Sequence, residues 1–220
     1  MKVVAYYTAG TTYETEAQLF ERSLKKCGIT NYQLTPIEKT RDWYAATALK
    51  AWFLYDSMMK HREPLLYCDV DAVFHQNPTK YFEALEKDFD FGAHWFQGPA
   101  GGSDRTKNAN RMLSGTLWLN NTEKTKRLLS AWGQMNSFLK DLKIAEGGGQ
   151  KNLWYMTTCM KDLRIKKIPG RYCYVFDKSW AYPDNEPRII EHTIASRENR
   201  NSVRVDQGRR KYLAKLEKII

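Results

Sequence analysis

Residues 65–74 read "LLYCDVDAVF", a run of apolar and aromatic side chains with one thiol and two aspartates set into it. The near-continuous apolar positions are those of a strand covered on both faces, the usual condition of a parallel sheet. Asp69 and Asp71 interrupt that pattern at its end. An unpaired buried carboxylate is costly, so two of them one residue apart require a cation or a cluster of donors close by. In open α/β sheets, ligands bind beyond the carboxyl ends of strands, and these aspartates fall at such an end.

The flanking sequence supports that architecture. "KVVAYYT" (2–8) reads as a buried strand, and "AGTTYETEAQLFERSLKKCG" (9–28) as a turn, a Thr cap and an amphipathic helix closing at Gly28. "NYQLTPI" (31–37) is a short strand, and "RDWYAATALKAWFLYDSMMKH" (41–61) one long helix ended by Pro64. After the 65–74 strand come a short helix in "NPTKYFEALE" (77–86) and a strand in "DFDFGAHWF" (88–96). "QGPAGGSDRTKNAN" (97–110) is a Gly- and Ser-rich loop, and "RMLSGTLWLN" (111–120) a strand. "NTEKTKRLLSAWGQM" (121–135) is a capped helix, "GGGQKNLWYMTTCMKD" (147–162) a helix opened by glycines, and "LRIKKIP" and "RYCYVF" late strands. Alternating strands and helices predict an α/β fold with a mostly parallel central sheet flanked by helices.

The chain has 220 residues and a mass of 25.7 kDa, enough for one well-buried domain. A hydrophobic fraction of 42% and an aromatic fraction of 13% exclude a disordered chain. No apolar run approaches the roughly 20 residues that cross a bilayer, and "MKVVAYYTAG" turns polar too soon for a secretory signal. Cys27, Cys68, Cys159 and Cys173 lack zinc spacing and read as free thiols of a reducing compartment. The expectation is a soluble, cytoplasmic protein.

The formal charge is +10, and residues 196–220 hold eight Arg or Lys against three acids. A basic tail of this kind expects an anionic partner or is a solvated basic helix. In "RRKYLAKLEKII" (209–220), Tyr212, Leu213, Leu216, Ile219 and Ile220 share one helical face. That face either docks on the domain or anchors peripherally on an acidic membrane surface. Residues 1–200 therefore form the expected domain and 201–220 a basic helical tail.

Asp-x-Asp by itself is a weak pattern, and the chain has a second copy, Asp88 and Asp90 in "EKDFDFG", at a strand start after a charged helix end. That copy reads as a surface or strand-start pair. The first pair suits oxygen ligation of a hard divalent cation, Mg²⁺ or Mn²⁺; the alternative is a turn whose carboxylates cap the next helix.

"LLYCDVDAVF", "LSGTLWLN", "GGGQKNLW" and "IIEHTIASRENR" occur in the order seen in metal-dependent glycosyltransferases. The chain resembles the nucleotide-diphospho-sugar transferase type, with its single Rossmann-like GT-A domain, from the first strand to about Arg200. The resemblance implies a hexosyl- or pentosyltransferase that moves a sugar from a nucleotide-sugar donor, a UDP-sugar in the first instance. Asp71 would bind Mn²⁺ or Mg²⁺ and serve catalysis, and Asp69 would reach the cation or the donor ribose. His192 would be a third, neutral ligand, and Ser196 and Arg197 would meet the diphosphate. Tyr6, Thr8 and Ala9 would hold base and ribose, and Val70 would line the donor site between the two aspartates. Lys50 falls where relatives face the donor with a basic residue, against the alternative of a solvated lysine. Ser114 and Gly115 would allow close backbone approach to the sugar.

Gln150 corresponds to the polar residue beneath the anomeric carbon. Relatives often carry an acid immediately before it, where this chain has Gly149, with Glu146 three positions earlier. The arrangement implies retention of configuration. The acceptor could be a glycan, a lipid-linked glycan or a modified DNA base. Competing readings are a sugar-phosphate nucleotidyltransferase, although "TAGTTYE" lacks the basic residue that activity wants, and a nucleic-acid-binding module suggested by a pI near 9.3.

Overall fold

Strand β1 (Lys2–Thr8) sends alternate side chains to opposite faces. Val4 and Tyr6 join one apolar cluster, and Val3 and Ala5 join the other. Strand β3 (Leu65–Cys68) repeats this, with Leu65 and Tyr67 on one side and Leu66 and Cys68 on the other. Both faces of the sheet are thus covered, which explains the apolar runs. In this computed structural model the described residues are 1–40, 43–99, 108–141, 148–176, 186–195, 203–218 and 220.

Beside β1 and β3 lie β2 (Tyr32–Ile37), β5 (Phe91–Pro99), β6 (Asn108–Leu119) and β7 (Ile165–Lys167), in the order β2-β1-β3-β6-β5-β7. Strand β6 runs antiparallel to both of its neighbours, and every other pairing in this sheet is parallel. A smaller sheet joins β4 (Ala72–Phe74), β9 (Ile190–His192) and β8 (Tyr174–Val175) in the order β4-β9-β8. Helices α3 (Lys50–His61), α5 (Glu123–Asp141) and α6 (Gly148–Cys159) cover one face of the large sheet through Leu54, Trp132 and Leu153. On the other face pack α1 (Tyr13–Lys26), α4 (Thr79–Glu83) and the small sheet, through Phe20, Phe82, Phe74 and Ile190.

Helix α1 carries Glu14 and Glu16 in its first turn and Lys25 and Lys26 in its last, each sign facing the opposite end of the helix dipole. It closes at Gly28, whose φ is +68°. There Gly28 N–H donates to Lys25 O at 3.0 Å and Ile29 N–H to Leu24 O at 2.9 Å, with Ile29 and Leu24 both buried.

Two stretches that read as single elements are each divided in the structure. The 65–74 stretch is two strands, because the chain turns at Asp69: Ala72 N–H donates to Asp69 O at 2.9 Å and the chain leaves one sheet for the other. The single long helix is two, α2 (Trp43–Ala48) and α3, parted at Leu49. At that break the Ala46 carbonyl accepts from Tyr6 Oη at 2.9 Å as well as from the Leu49 N–H at 3.3 Å, and the Ala48 carbonyl accepts from Asn136 Nδ2 at 3.2 Å. Helix α3 ends before Pro64, at a left-handed Arg62 with φ +54°.

The basic tail forms α7 (Val203–Leu216). Its apolar side, with Tyr212, Leu213 and Leu216, packs with Leu19 and Val73, while Lys211, Lys215 and Lys218 are exposed. The face that could have lain in a membrane is therefore occupied by the domain. No helix among the described residues is long and apolar enough to cross a bilayer.

The second Asp-x-Asp has a structural role. Asp90 is buried and takes Arg164 Nε and Nη2 at 3.0 Å, one to each carboxylate oxygen, together with the Arg164 N–H at 3.0 Å. Those bonds lower the Asp90 carboxyl below the usual range despite its burial. A depressed folded-state value gives stability that is complete above the unfolded value, near 4, and lost as the pH falls. Asp90→Asn is accordingly expected to lower the urea midpoint at pH 7, with the gap to the wild type narrowing progressively as the pH falls below about 5.

Candidate functional site

The turn at Asp69 to Ala72 lies where the two sheets meet. Gly115 O accepts the Asp69 N–H at 2.8 Å, which ties the turn to β6. The two carboxylates then meet different surroundings. Asp69 is 39% exposed, while Asp71 is 13% exposed.

Asp69 Oδ1 accepts from Lys50 Nζ at 2.7 Å and from Tyr67 Oη at 2.6 Å. Burial and the adjacent Asp69 push the Tyr67 phenol well up, so it stays a donor. Lys50 is not the solvated lysine of the alternative reading. It is buried, sits 4.8 Å from the Tyr67 ring centroid, and donates to Ser114 O at 3.0 Å and Ser114 Oγ at 3.4 Å.

Asp71 is held from the other sheet. Antiparallel pairing sets Ala72 opposite His192, which brings His192 Nδ1 to 3.4 Å from Asp71 Oδ1. Beyond the strand, Thr193 N–H and Oγ1 donate to Asp71 O at 3.0 and 3.1 Å, and Ala195 N–H donates to Asp71 Oδ2 at 2.9 Å. Burial alone would raise Asp71, yet His192, the Ala195 N–H and Arg209 together lower it. At His192, burial works against a charged ring, but Asp71 and Cys173 outweigh it and raise the imidazole. The two opposite shifts, one carboxyl lowered and one imidazole raised, favour the charged form of both partners.

Gly115 makes room for that ring. A Cβ at this position would stand 3.1 Å from His192 Cε1 and 3.3 Å from Nδ1, tighter than ordinary packing allows. On the opposite edge, His192 Nε2 lies 2.8 Å from Thr116 Oγ1. A proton on Nε2 donated to this hydroxyl leaves the Nδ1 lone pair aimed at the Asp71 side.

Two carboxylates and an imidazole are a suitable donor set for Mg²⁺ or Mn²⁺. Among the described residues no group of three such side chains already converges on one point. Asp69 leans on Lys50, but its Oδ2 takes no hydrogen bond among the described residues. The 3.4 Å between Nδ1 and Oδ1 approaches the roughly 3 Å edge of an octahedron with ligands at about 2.1 Å. By their donor chemistry Asp69, Asp71 and His192 fit a divalent cation, which they would hold through carboxylate oxygen and imidazole nitrogen.

The other expected residues fall unevenly around this centre. Ser114 is buried and joined to Gln150, whose Oε1 accepts the Ser114 N–H at 3.0 Å. Thr8 O accepts from Thr11 Oγ1 at 2.6 Å, and Ala9 N–H donates to Ile37 O at 2.9 Å, both at the β1 end. Val70 is buried within the turn. Tyr6, at the end of β1, packs its ring on Phe53 and Tyr67 and donates its hydroxyl to Ala46 O. Ser196, Arg197 and Glu146 lie outside the described residues.

Two site residues carried no sequence signal. Thr116 is one, a fully buried strand threonine in an ordinary apolar pattern. Tyr13, at the start of α1, is the other; burial and then the charges of Asp71 and Asp69 push its phenol up.

The chain matches the family described as nucleotide-diphospho-sugar transferase over residues 18–194. Three solved structures share its fold. A glycosyltransferase involved in glycosylation of the major capsid of PBCV-1 superposes with a TM-score of 0.64 at 13% identity, covering 91% of this chain and 97% of that one. A galactosyltransferase solved with donor and acceptor sugar analogues gives 0.53 at 10% identity, with 87% and 86% covered. Mouse xyloside xylosyltransferase 1 gives 0.51 at 10% identity, with 89% and 98% covered. No curated protein matches the sequence.

Thr116→Val, which keeps the shape and removes the hydroxyl, is expected to weaken Mn²⁺ binding about 10-fold with the fold unchanged, measured by the spin resonance of free Mn²⁺. Because the cation displaces a proton from a raised His192, affinity is expected to increase with pH between 6 and 8 in the same titration.

Proposed function

Because this chain belongs to the nucleotide-diphospho-sugar transferase family, we propose that it transfers a sugar from a UDP-sugar to an acceptor hydroxyl, with Mn²⁺ or Mg²⁺ held by Asp69, Asp71 and His192. The observation that carries this reading is the 3.4 Å approach of the Asp71 carboxylate to an imidazole 121 residues away, beside a second, exposed aspartate. When bound there, a cation would supply the positive charge that neutralises the departing nucleoside diphosphate.

The chain's own groups divide the remaining work. Lys50 supplies a buried ammonium at the same carboxylate, and the ends of β1 and α1, with Thr8, Ala9 and Tyr13, flank the nucleotide. Ser196 and Arg197 are proposed to meet the diphosphate. Ser114 and Gly115 form the backbone wall beneath the sugar. Gln150 orients and does not attack, because an amide is a poor nucleophile and its Oε1 is already tied to Ser114 N–H.

The reaction proposed is front-face substitution with retention. The bond from the anomeric carbon to the phosphate oxygen breaks as the acceptor oxygen bonds to that carbon from the same side. The acceptor proton passes to the leaving diphosphate oxygen.

Asp71→Ala is expected to lower nucleoside diphosphate release at least about 100-fold while the circular dichroism stays that of the wild type. EDTA should abolish release by the wild type and Mn²⁺ restore it. Full activity in the variant or in EDTA would overturn the cation reading, and an inverted anomeric configuration by NMR would overturn retention.

A further inference from the structure

Helix α7 reaches the candidate site through one buried side chain. Arg209 is 1% exposed. Its Nη2 donates to Glu16 Oε1 at 2.5 Å, which supplies the counter-charge a buried guanidinium requires. An ion pair fastening α7 to α1 would need nothing more. The guanidinium also donates through Nε to Thr193 O at 2.8 Å and through Nη2 to Thr193 Oγ1 at 3.0 Å.

Thr193 is the residue whose N–H and hydroxyl hold the Asp71 carbonyl. The next residue, Ile194, has φ +57°, a left-handed conformation that is strained for a β-branched side chain. Such a conformation persists only where its surroundings over-determine it. Here it is pinned from both sides, by Arg209 on Thr193 and by the bond from Ala195 N–H to Asp71 Oδ2 at 2.9 Å. That turn holds the Asp71 carbonyl through Thr193 and one Asp71 carboxylate oxygen through Ala195, directly after His192 ends β9.

Helix α7 has further anchors that do not touch the turn. Tyr212 Oη donates to Glu191 Oε2 at 2.6 Å, and Leu216 packs with Leu19 and Val73. Docking of the helix and bracing of the turn are thus separable by mutation.

We propose that Arg209 is a positioning residue, which holds Thr193 to Ala195 in the strained turn that shapes the cation-binding pair Asp71 and His192 and so sets cation affinity. The proposal rests on the reading of those two residues as cation ligands. It treats the tail helix as part of the site's supporting structure.

The test measures Mn²⁺ binding to the full chain without donor, by spin resonance of free Mn²⁺, alongside urea unfolding without metal. Arg209→Lys keeps the charge for Glu16 and loses the fork onto Thr193; Mn²⁺ affinity is expected to fall about 10-fold with a small change in urea midpoint. Leu216→Ala loosens the docked helix and is expected to lower the urea midpoint with Mn²⁺ affinity unchanged. Thr193→Val, which removes the hydroxyl between Arg209 and Asp71, should weaken Mn²⁺ in the same direction and serves if Arg209→Lys does not fold. Wild-type affinity in Arg209→Lys or in Thr193→Val overturns the proposal alone, as does an equal loss in Leu216→Ala. Absence of Mn²⁺ binding by the wild type overturns the cation reading and this proposal with it.

Discussion

A carboxylate that is almost out of water has to be met by something, and in this protein the architecture around Asp71 answers that need. The chain leaves the large sheet at Cys68, turns through Asp69 to Asp71 and enters the small sheet at Ala72. At the turn, one oxygen of Asp71 takes a backbone N–H and the other faces an imidazole, while its carbonyl takes two more donors from Thr193. The small sheet is the device that supplies them, since pairing β4 with β9 brings the late part of the chain to the middle of the early part. Lys50 meets the second carboxylate from a helix on the opposite face.

What was legible in the sequence was what local pattern encodes. Period-2 alternation hidden inside near-continuous apolar runs gave β1, β3 and the covered sheet, and Asp69 and Asp71 stood out because charge is expensive there. A single strand through Phe74 is what local pattern suggests, because Ala72 to Phe74 is as apolar as Leu65 to Cys68; only the partner strand distinguishes two sheets from one. Lys50 was harder. Alanine and aromatic neighbours on a helix do not reveal whether a lysine points to water or into a cleft, and its burial depends on Asp69, 19 positions away. Thr116 and Arg209 were invisible for a related reason: each looks like a routine residue in a strand or a basic helix until the fold brings its partner near.

The two Asp-x-Asp copies illustrate how context decides chemistry. Asp90 is also buried, but a guanidinium and a backbone N–H saturate it, so it fastens β5 to the start of β7. Asp69 has an oxygen to spare among the described residues and more than a third of its surface in solvent, so it can accept something that comes and goes. The same three letters of sequence give a rivet in one place and a receptor in the other.

The groups that neutralise Asp71 arrive late along the chain: His192 is 121 residues on, Thr193 is 122 and Ala195 is 124. Loop-closure entropy makes such pairings slow relative to the helices and neighbouring strands that form from nearby segments. Among the described residues strand β4 has β9 as its one partner in the small sheet, so its pairing and the donors to Asp71 both depend on that late segment. Three apolar residues, Ala72 to Phe74, thus wait for a strand that lies late in the chain, and an apolar edge left unpaired is the kind of surface that accepts a wrong strand from another molecule.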